Sequence, residues 1–258
     1  MLGIKFLVST TLFLFCKKLV LNFITLAISA YNFIWIVSFI KFTPMTETIS
    51  INQQTFIMHC SGALFWKEKE ILLISDVHFG KVSHFRKFGA AVPLQAITKN
   101  FELLNEMLAF FNPKQLFFLG DLFHSSLNQE WLLFKDWVAS LSIKITLIKG
   151  NHDIIADVNY TALGIECIDE LRLEDFFFTH HPEEKGGFFN FSGHIHPSIK
   201  LIGAGRQSLK LPCFFKSSNQ LILPAFGTFT GTFTLTPTAE NEVFAITKDA
   251  IFRVSLTS

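Results

Sequence analysis

Acidic, amide and histidine side chains recur in five short clusters along this chain of 258 residues. The clusters are Asp76-Val77-His78, Gly120-Asp121, Gly150-Asn151-His152-Asp153, His180-His181 and Gly193-His194-Ile195-His196. Carboxylate and amide oxygens combined with imidazole nitrogens suit Mn, Fe or Zn ions. Two such ions can clamp a phosphate group and lower the pKa of a water molecule between them. The residue types therefore predict metal-dependent chemistry on a phosphate, provided that the fold brings the clusters together.

Each cluster taken alone has a plainer explanation. His194 and His196 would share one face of a regular strand, because strand side chains alternate. An isolated pair of this kind favours two partly exposed histidines at a strand end. Gly120-Asp121 fits an ordinary turn, and Asn151-His152-Asp153 fits a helix cap. The ordered series of five clusters is what indicates a site.

A short apolar run precedes each cluster, and the first three runs alternate with helices. The runs at 71–75, 116–119 and 143–148 are predicted to be buried strands. Pro93 opens a predicted helix, whose apolar face repeats at 3-4-3-4-3 spacing through Leu94, Ile97, Phe101, Leu104, Leu108 and Phe111. A second helix is indicated by Trp131, Phe134, Val138 and Leu141. This alternation predicts parallel βαβ units, which place ligand sites at the carboxyl ends of their strands.

The chain beyond residue 165 is predicted to be mainly β structure. Short strand-like runs lie at 175–179, 198–202, 208–215, 221–223, 243–246 and 251–254. No repeat, linker or low-complexity segment follows Met45, which favours a single domain over residues 45–258.

The first 44 residues differ from the rest in charge and hydropathy. They contain four lysines and no acidic residue, and residues 19–40 carry no charge. A stretch of that length can span a bilayer as a helix, whereas a secretory signal fits poorly because no small-residue cleavage site precedes polar sequence. Our hypothesis is that translation starts at Met45 and that residues 1–44 are a mis-assigned extension. The alternative is an anchor in the inner membrane through residues 19–40.

Charge and cysteine content bear on nucleic-acid binding and on the cellular compartment. Residues 45–258 hold 18 basic and 21 acidic side chains, whereas a nucleic-acid-binding domain usually presents a basic face. The four cysteines show no C-x-x-C pairing or regular framework. This pattern favours free thiols in a reducing compartment, and hence a cytoplasmic protein unless residues 1–44 anchor it.

The ordered series D-x-H, G-D, G-N-H-D, H and G-H-x-H resembles the signature of the calcineurin-like metallophosphoesterases. The resemblance implies an α/β fold, namely a four-layer α/β/β/α sandwich with two mixed sheets. It also implies two divalent metal ions, with Mn²⁺ favoured and Fe or Zn as alternatives. The implied ligands are Asp76, His78 and His196 for one metal, Asn151, His180 and His194 for the other, and Asp121 as the bridge.

The same resemblance implies roles for three further residues. His152 matches the family's histidine that lies beside the metals without binding them, and it would stabilise the transition state or protonate the leaving oxygen. Asp153 would orient His152 or cap the backbone. Where some relatives carry an orienting aspartate this chain has His124, which is expected to contact the phosphate or His152. His181, next to His180, is not expected to be a ligand.

A narrower resemblance rests on the sequence around the metal motifs, at 76–81 (DVHFGK), 85–89 (FRKFG), 120–125 (GDLFHS), 193–197 (GHIHP) and 223–231 (LPAFGTFTG). Together these stretches resemble the bacterial ligase-associated DNA-damage-response metallophosphoesterases (PdeM). That subgroup implies phosphodiester hydrolysis on DNA, with a DNA ligase and a helicase as partners in repair. Lys81 and Arg86 are expected either to hold phosphates that flank the scissile one or to be solvated loop charges.

Two other functions stay open at this point. One is a membrane-anchored phosphoesterase acting on a lipid-linked or small-molecule phosphate, which requires residues 1–44 to be genuine. The other is a non-catalytic scaffold for repair proteins. The complete ligand set argues against the scaffold, because burying His and Asp side chains without a metal is costly.

Overall fold

The computed structural model describes residues 44–81, 89, 95–124, 126–203, 205, 207–228 and 230–255. The hydrophobic segment up to residue 43 and the predicted phosphate contact Arg86 lie outside the described residues, so the interpretations of both stay predictions. Within the described ranges, no helix is both long enough and apolar enough to cross a bilayer.

The first half of the described chain builds a mixed sheet whose seven strands follow in chain order. They are β1 (Thr46–Ile51), β2 (Gln54–His59), β3 (Leu64–Trp66), β4 (Ile71–Ile74), β5 (Gln115–Leu119), β6 (Lys144–Ile148) and β7 (Glu166–Ile168). Strands β1 to β4 are antiparallel, and β4 to β7 run parallel. Every residue of β4 is buried, because a parallel strand is covered on both faces.

Three described helices connect the parallel strands and cover one face of this first sheet. They are α1 (Gln95–Phe111), α2 (Gln129–Ala139) and α3 (Asp157–Thr161). Phe101 of α1 and Phe134 of α2 pack in one buried cluster with Leu72 and Phe118 of the sheet. The side chain of Asn128 begins α2 by accepting hydrogen bonds from two backbone N–H groups of its first turn, as a helix cap does.

The second half builds a second mixed sheet, with nine strands among the described residues. They are β8 (Leu171–Leu173), β9 (Phe176–Phe178), β10 (Phe189–Ser192), β11 (Pro197–Ile202), β12 (Ser208–Lys216), β13 (Gln220–Ile222), β14 (Phe233–Thr234), β15 (Glu242–Ile246) and β16 (Ile251–Arg253). The main path runs β14-β11-β12-β13-β10-β9-β8, with β15 paired to β12 and β16 paired to β15. Because β9, β10 and β13 run parallel, their carboxyl ends meet at one edge.

The two sheets pack face to face through a core rich in aromatic rings. Phe56 and Trp66 of the first sheet meet Phe176 of the second edge to face, with ring centroids 5.3 and 4.9 Å apart. Phe178 and Phe191 stack within the second sheet at 5.4 Å. Burial of each ring contributes about 1.5–3 kcal/mol to the free energy of folding. This core therefore fixes the strand ends of one sheet relative to those of the other.

The architecture confirms the predicted fold class, an α/β sandwich of two mixed sheets. The predicted strands and helices are present, and their described ends differ from the predicted ones by one or two residues. The predicted start of the first helix at Pro93 lies outside the described residues. The described residues supply one helical layer and the two sheets, and the outer face of the second sheet carries a small apolar cluster around Ile199, Cys213 and Val243. The described cysteines, Cys60, Cys167 and Cys213, are free thiols.

Candidate metal centre

The five predicted clusters follow the carboxyl ends of five strands. In the first sheet, β4, β5 and β6 pair in parallel and in register, so the chain segments that follow them meet at one edge. In the second sheet, β9 and β10 pair in parallel, and the chain reaches His180 two residues after β9 and Gly193 directly after β10. The packing of the two sheets brings both edges together, as expected for a ligand site at strand ends.

Asp76, His78 and His196 form what we term the first ligand group. The Nε2 atom of His196 lies 3.1 Å from Oδ1 of Asp76 and 3.3 Å from Nε2 of His78. Asp76 and His78 are buried, and His196 is half-buried. The ligand atoms of the three side chains lie within 4.8 Å of one another, which is close enough for a shared metal ion.

Asn151, His180 and His194 form the second ligand group. The Nε2 atom of His180 lies 3.1 Å from Oδ1 of Asn151 and 3.2 Å from Nδ1 of His194. His180 is buried, whereas Asn151 is exposed. The second group is therefore more open to solvent than the first.

Asp121 lies between the two groups. Its Oδ1 atom is 3.3 Å from Nε2 of His180, and its Oδ2 atom is 3.9 Å from Nε2 of His78. The carboxylate is almost fully buried. One oxygen thus faces each ligand group, which is the arrangement that a bridging carboxylate requires.

The hydrogen bonds around His180 fit a cation. Its Nδ1 atom lies 3.0 Å from the backbone carbonyl of Leu119, and because a carbonyl only accepts, Nδ1 carries the ring proton. In the neutral ring Nε2 then holds a lone pair, yet it faces the acceptor oxygens of Asn151 and Asp121. A metal ion placed between Nε2 and these oxygens would accept an electron pair from each of them. A backbone carbonyl that accepts a hydrogen bond from the other ring nitrogen is a common support for a metal-bound histidine.

The charge state of the histidines also fits metal binding, since a metal binds the neutral ring. Burial lowers the pKa of His78 to about 2, and burial also lowers the pKa of His194. Burial alone would lower the pKa of His196 as well, but its contact with the Asp76 carboxylate raises that pKa. The position between His196 and Asp76 therefore favours a positive charge.

The backbone at the centre is strained. Five residues of this site have a positive φ between 49° and 66°, namely Asp76, His78, Asp121, His194 and His196. Residues with a Cβ rarely adopt this left-handed conformation, and each instance costs on the order of 1–3 kcal/mol. Such strain is typical of functional sites, and here it occurs in three of the five clusters.

Gly193 is required by close packing. A Cβ atom at this position would overlap Oδ2 of Asp76 and the side chain of Ser75. The same Asp76 oxygen accepts a hydrogen bond from the backbone N–H of His194 at 3.0 Å. The glycine of the G-H-x-H cluster therefore allows the second sheet to approach the first ligand group.

His152 and His124 lie beside the ligand groups. Their ring centroids are 4.5 Å apart, and the His152 ring lies 5.9 Å from that of His78. The backbone N–H of His152 donates to Oδ1 of Asp121 at 2.9 Å, while its side chain is exposed. The structure thus places His152 at the open side of the centre, with His124 against it.

Asp153 contacts the backbone of the site. Its two carboxylate oxygens accept hydrogen bonds from the N–H groups of Phe123, at 3.0 Å, and Gly150, at 2.8 Å. It therefore ties together the loops that follow β5 and β6, in keeping with the predicted cap. A direct effect of Asp153 on His152 stays a prediction.

Lys81 and His181 border the centre. Burial lowers the pKa of Lys81, while the carboxylates of Asp121 and Asp76 oppose this shift, so its ammonium group lies within their field. The His181 ring is 3.9 Å from that of His194, and its ligand atom groups with those of the second ligand group. His181 was not expected to be a ligand, and its place next to His180 was the one feature that singled it out; the structure nevertheless groups its ring with those of His180 and His194.

Supporting contacts to the site loops include several that the sequence analysis did not identify. Asn100 of α1 donates to the carbonyl of Val77 at 3.2 Å, and Glu130 of α2 accepts from the N–H of Gly80 at 2.6 Å. Gly231 accepts from Nδ1 of His196 at 3.1 Å through its carbonyl oxygen. Only Gly231 had a signal, because it belongs to the LPAFGTFTG stretch that carries the narrower resemblance.

Comparisons with known proteins agree with this geometry. The profile of the calcineurin-like phosphoesterase family matches residues 69–221, which is more than half of the chain and includes all five clusters. The nuclease MPE from Pseudomonas putida is 30% identical, with a TM-score of 0.67, and the alignment covers 78% of this chain and 96% of that chain. The phosphoesterase Yfce from E. coli is 14% identical over 72% of this chain and 99% of that one, and its TM-score of 0.38 is too low to support an inference. No curated protein sequence matches significantly.

The family match and the ligand-type clusters point to the same chemistry. The similarity to a nuclease supports the narrower resemblance to the ligase-associated subgroup. The chain belongs to the calcineurin-like phosphoesterase family and is a metal-dependent phosphoesterase.

Proposed function

We propose that this protein is a two-metal phosphodiesterase that cleaves DNA. The observation that carries the proposal is the position of Asp121, whose two carboxylate oxygens face the two ligand groups at 3.3 and 3.9 Å. The similarity to the Pseudomonas putida nuclease supports a nucleic acid as the substrate.

In this proposal each ligand group binds one divalent ion and Asp121 binds both. Mn²⁺ is the proposed ion, because carboxylate, amide and imidazole ligands without thiolate suit it. When bound, such a metal pair neutralises phosphate charge and activates a water nucleophile. The role of the protein is to hold seven ligands in place, and the strained backbone of five of them supports that role.

His152 is the proposed general acid. It lies at the open side of the centre with its backbone fixed on Asp121, so its ring can reach the oxygen that leaves the phosphorus and give it a proton. His124 is the proposed orienting partner, because its ring packs against that of His152 at 4.5 Å. Asp153 would support both histidines through the backbone that it binds.

Lys81 and Arg86 are the proposed contacts to phosphates that flank the scissile one. The Lys81 ammonium group lies within the electrostatic field of the Asp76 and Asp121 carboxylates. This position beside the centre supports its proposed contact with a phosphate. A repair function alongside a DNA ligase and a helicase follows from the narrower resemblance, and it implies a reaction in the cytoplasm.

The proposal is tested by the substrate range of the Mn²⁺-loaded full chain. Single-stranded DNA, bis(p-nitrophenyl) phosphate and p-nitrophenyl phosphate are compared at equal enzyme concentration. We expect hydrolysis of DNA and of the small diester, with the monoester turned over more slowly. Turnover of the monoester alone would contradict the proposed phosphodiesterase, and turnover of the small diester without DNA cleavage would contradict DNA as substrate.

A further inference from the structure

A basic hairpin leads away from the candidate metal centre. Residues 197–216, which contain β11 and β12, hold four of the 18 basic residues of 45–258 and none of its 21 acidic residues. The domain is slightly acidic elsewhere, so this segment is a local excess of positive charge. Its first strand, β11, begins directly after the first-group ligand His196.

Two lysines of this hairpin lie side by side. Lys200 of β11 is the register partner of Lys210 of β12, and Ile202 is the partner of Ser208. Partners across a ladder, and residues two apart along a strand, point to the same face. We term the surface of Lys200, Ile202, Ser208 and Lys210 the lysine face.

The lysine face is exposed to solvent. All four residues are exposed, and Ile202 keeps 80% of its surface accessible. The opposite face of the hairpin differs, because Ile199 and Leu211 pack there in an apolar cluster. Like charges directly opposite each other destabilise a sheet, so the pairing of the two lysines across the ladder does not itself stabilise the hairpin.

The lysine face is connected to the metal centre. Nζ of Lys210 donates to the carbonyl of Thr232 at 2.8 Å, and the carbonyl of the preceding Gly231 accepts from Nδ1 of His196 at 3.1 Å. Lys200 follows His196 by four residues, which corresponds to about 13 Å along an extended strand. Lys210 therefore contacts the segment that borders the centre, and Lys200 lies beside it on the neighbouring strand.

We propose that the lysine face binds the backbone of single-stranded DNA on one side of the scissile phosphate. Lys200 and Lys210 would each contact a phosphate, and Ile202 would contact an unpaired base, whose flat surface a duplex would keep stacked inside. Proteins that bind single strands without sequence preference use a positively charged surface that follows the backbone, and Lys200 and Lys210 supply that charge here. This inference rests on the proposed DNA cleavage by the same centre.

The test compares two double variants of the full chain. The first is Lys200→Ala with Lys210→Ala. The control is Lys114→Ala with Lys144→Ala, which removes the same amount of positive charge. Both control residues lie at the amino ends of β5 and β6, and the centre lies at the opposite, carboxyl ends of these strands. The control lysines form exposed ion pairs with Glu70 and Glu166, and such pairs contribute less than about 1 kcal/mol.

Binding is measured without metal by the fluorescence anisotropy of a labelled single-stranded oligonucleotide. For the lysine-face variant we expect about tenfold weaker binding at low salt. The slope of log K against log[salt] should fall by about 1.4, because each phosphate contact to a single strand contributes about 0.7. The control variant should keep the affinity and the salt slope of the parent protein.

Cleavage with Mn²⁺ separates this inference from the proposed function. We expect the lysine-face variant to raise KM for single-stranded DNA about tenfold. Lys200→Ala alone leaves the contact between Lys210 and Thr232 in place. It should raise KM for DNA by a smaller factor, while hydrolysis of bis(p-nitrophenyl) phosphate, which is too short to reach the hairpin, changes less than about twofold. Equal DNA affinity and equal salt slope in the two variants would overturn the inference. A lysine-face variant that keeps its DNA affinity and loses only self-association would overturn it as well. A parent protein that binds the oligonucleotide through the lysine face but cleaves no DNA would contradict the proposed function alone.

Discussion

The two sheets contribute different chemistry to the centre. The first sheet supplies all the predicted oxygen ligands, Asp76, Asp121 and Asn151, together with His78, whereas the second sheet supplies only imidazoles. The ligands of the second sheet are also held by the first, since His180 bonds to the carbonyl of Leu119 and the N–H of His194 donates to Asp76. Neither sheet alone forms the centre, which therefore depends on how the two sheets pack.

Asp121→Ala is expected to have the largest effect. Asp121 directs one carboxylate oxygen towards each group, so its loss should remove both ions and all measurable hydrolysis of phosphodiesters. Metal content by plasma mass spectrometry and turnover of bis(p-nitrophenyl) phosphate check this. Asp136→Ala, on the exposed side of α2, is the matched control and should keep both ions. A variant at Asp121 that retained activity would overturn the site assignment.

His152→Ala should reduce kcat about 10²- to 10⁴-fold, the usual contribution of a general acid. Because His152 is beside the ligand groups and not in them, the metal content should stay that of the parent protein. Turnover and metal content are measured on the same preparation. Loss of an ion from this variant would show that His152 is a ligand.

Gly193→Ala tests the contact between the sheets at the centre. The added Cβ would overlap the Asp76 carboxylate, so we expect weaker metal binding and activity lower by about 10- to 100-fold, as for loss of a group that orients a ligand. Gly186→Ala is the control, because the new Cβ has open space around it, and it should behave like the parent protein. Gly164→Ala is less suitable, because the φ of Gly164 is positive. Unchanged metal affinity in Gly193→Ala would mean that the loop can move without cost.

Phe191→Leu should have the smallest effect on activity and a measurable effect on stability. Phe191 lies in the aromatic core between the sheets and stacks on Phe178. We expect the free energy of unfolding to fall by about 1–2 kcal/mol, measured by urea denaturation, with turnover at 25 °C within about twofold. The exposed Leu132→Ala should change stability by less than about 0.5 kcal/mol. A large loss of activity in folded Phe191→Leu would show that the core tunes the centre directly.

The parallel βα units around β4, β5 and β6 were easier to predict than several strands paired elsewhere in the two sheets, because their signals are local. Apolar runs and the 3.6-residue period of α1 and α2 identify βα units within short windows. In the first sheet, β1 and β2 are partly polar and β3 has only three residues. In the second sheet, β14 has two residues that are defined only by pairing with β11. Such strands depend on partners distant in sequence, and no local pattern marks them.

The ligand-type side chains were predictable, but their supports were not. Asp, Asn and His stand out by chemical type, and their order along the chain matches a known family. The carbonyl groups of Leu119 and Gly231 are present in every residue, so only the folded chain shows which of them bind histidine rings. The positive φ angles run against local preference, and the tertiary structure imposes them.

The central claim is that Asp121 joins two metal sites, and anomalous diffraction from a crystal of the Mn²⁺-loaded protein tests it most directly. We expect two anomalous peaks, one at the first ligand group and one at the second, with a carboxylate oxygen of Asp121 in contact with each. A single peak, or two peaks of which only one contacts Asp121, would contradict the claim.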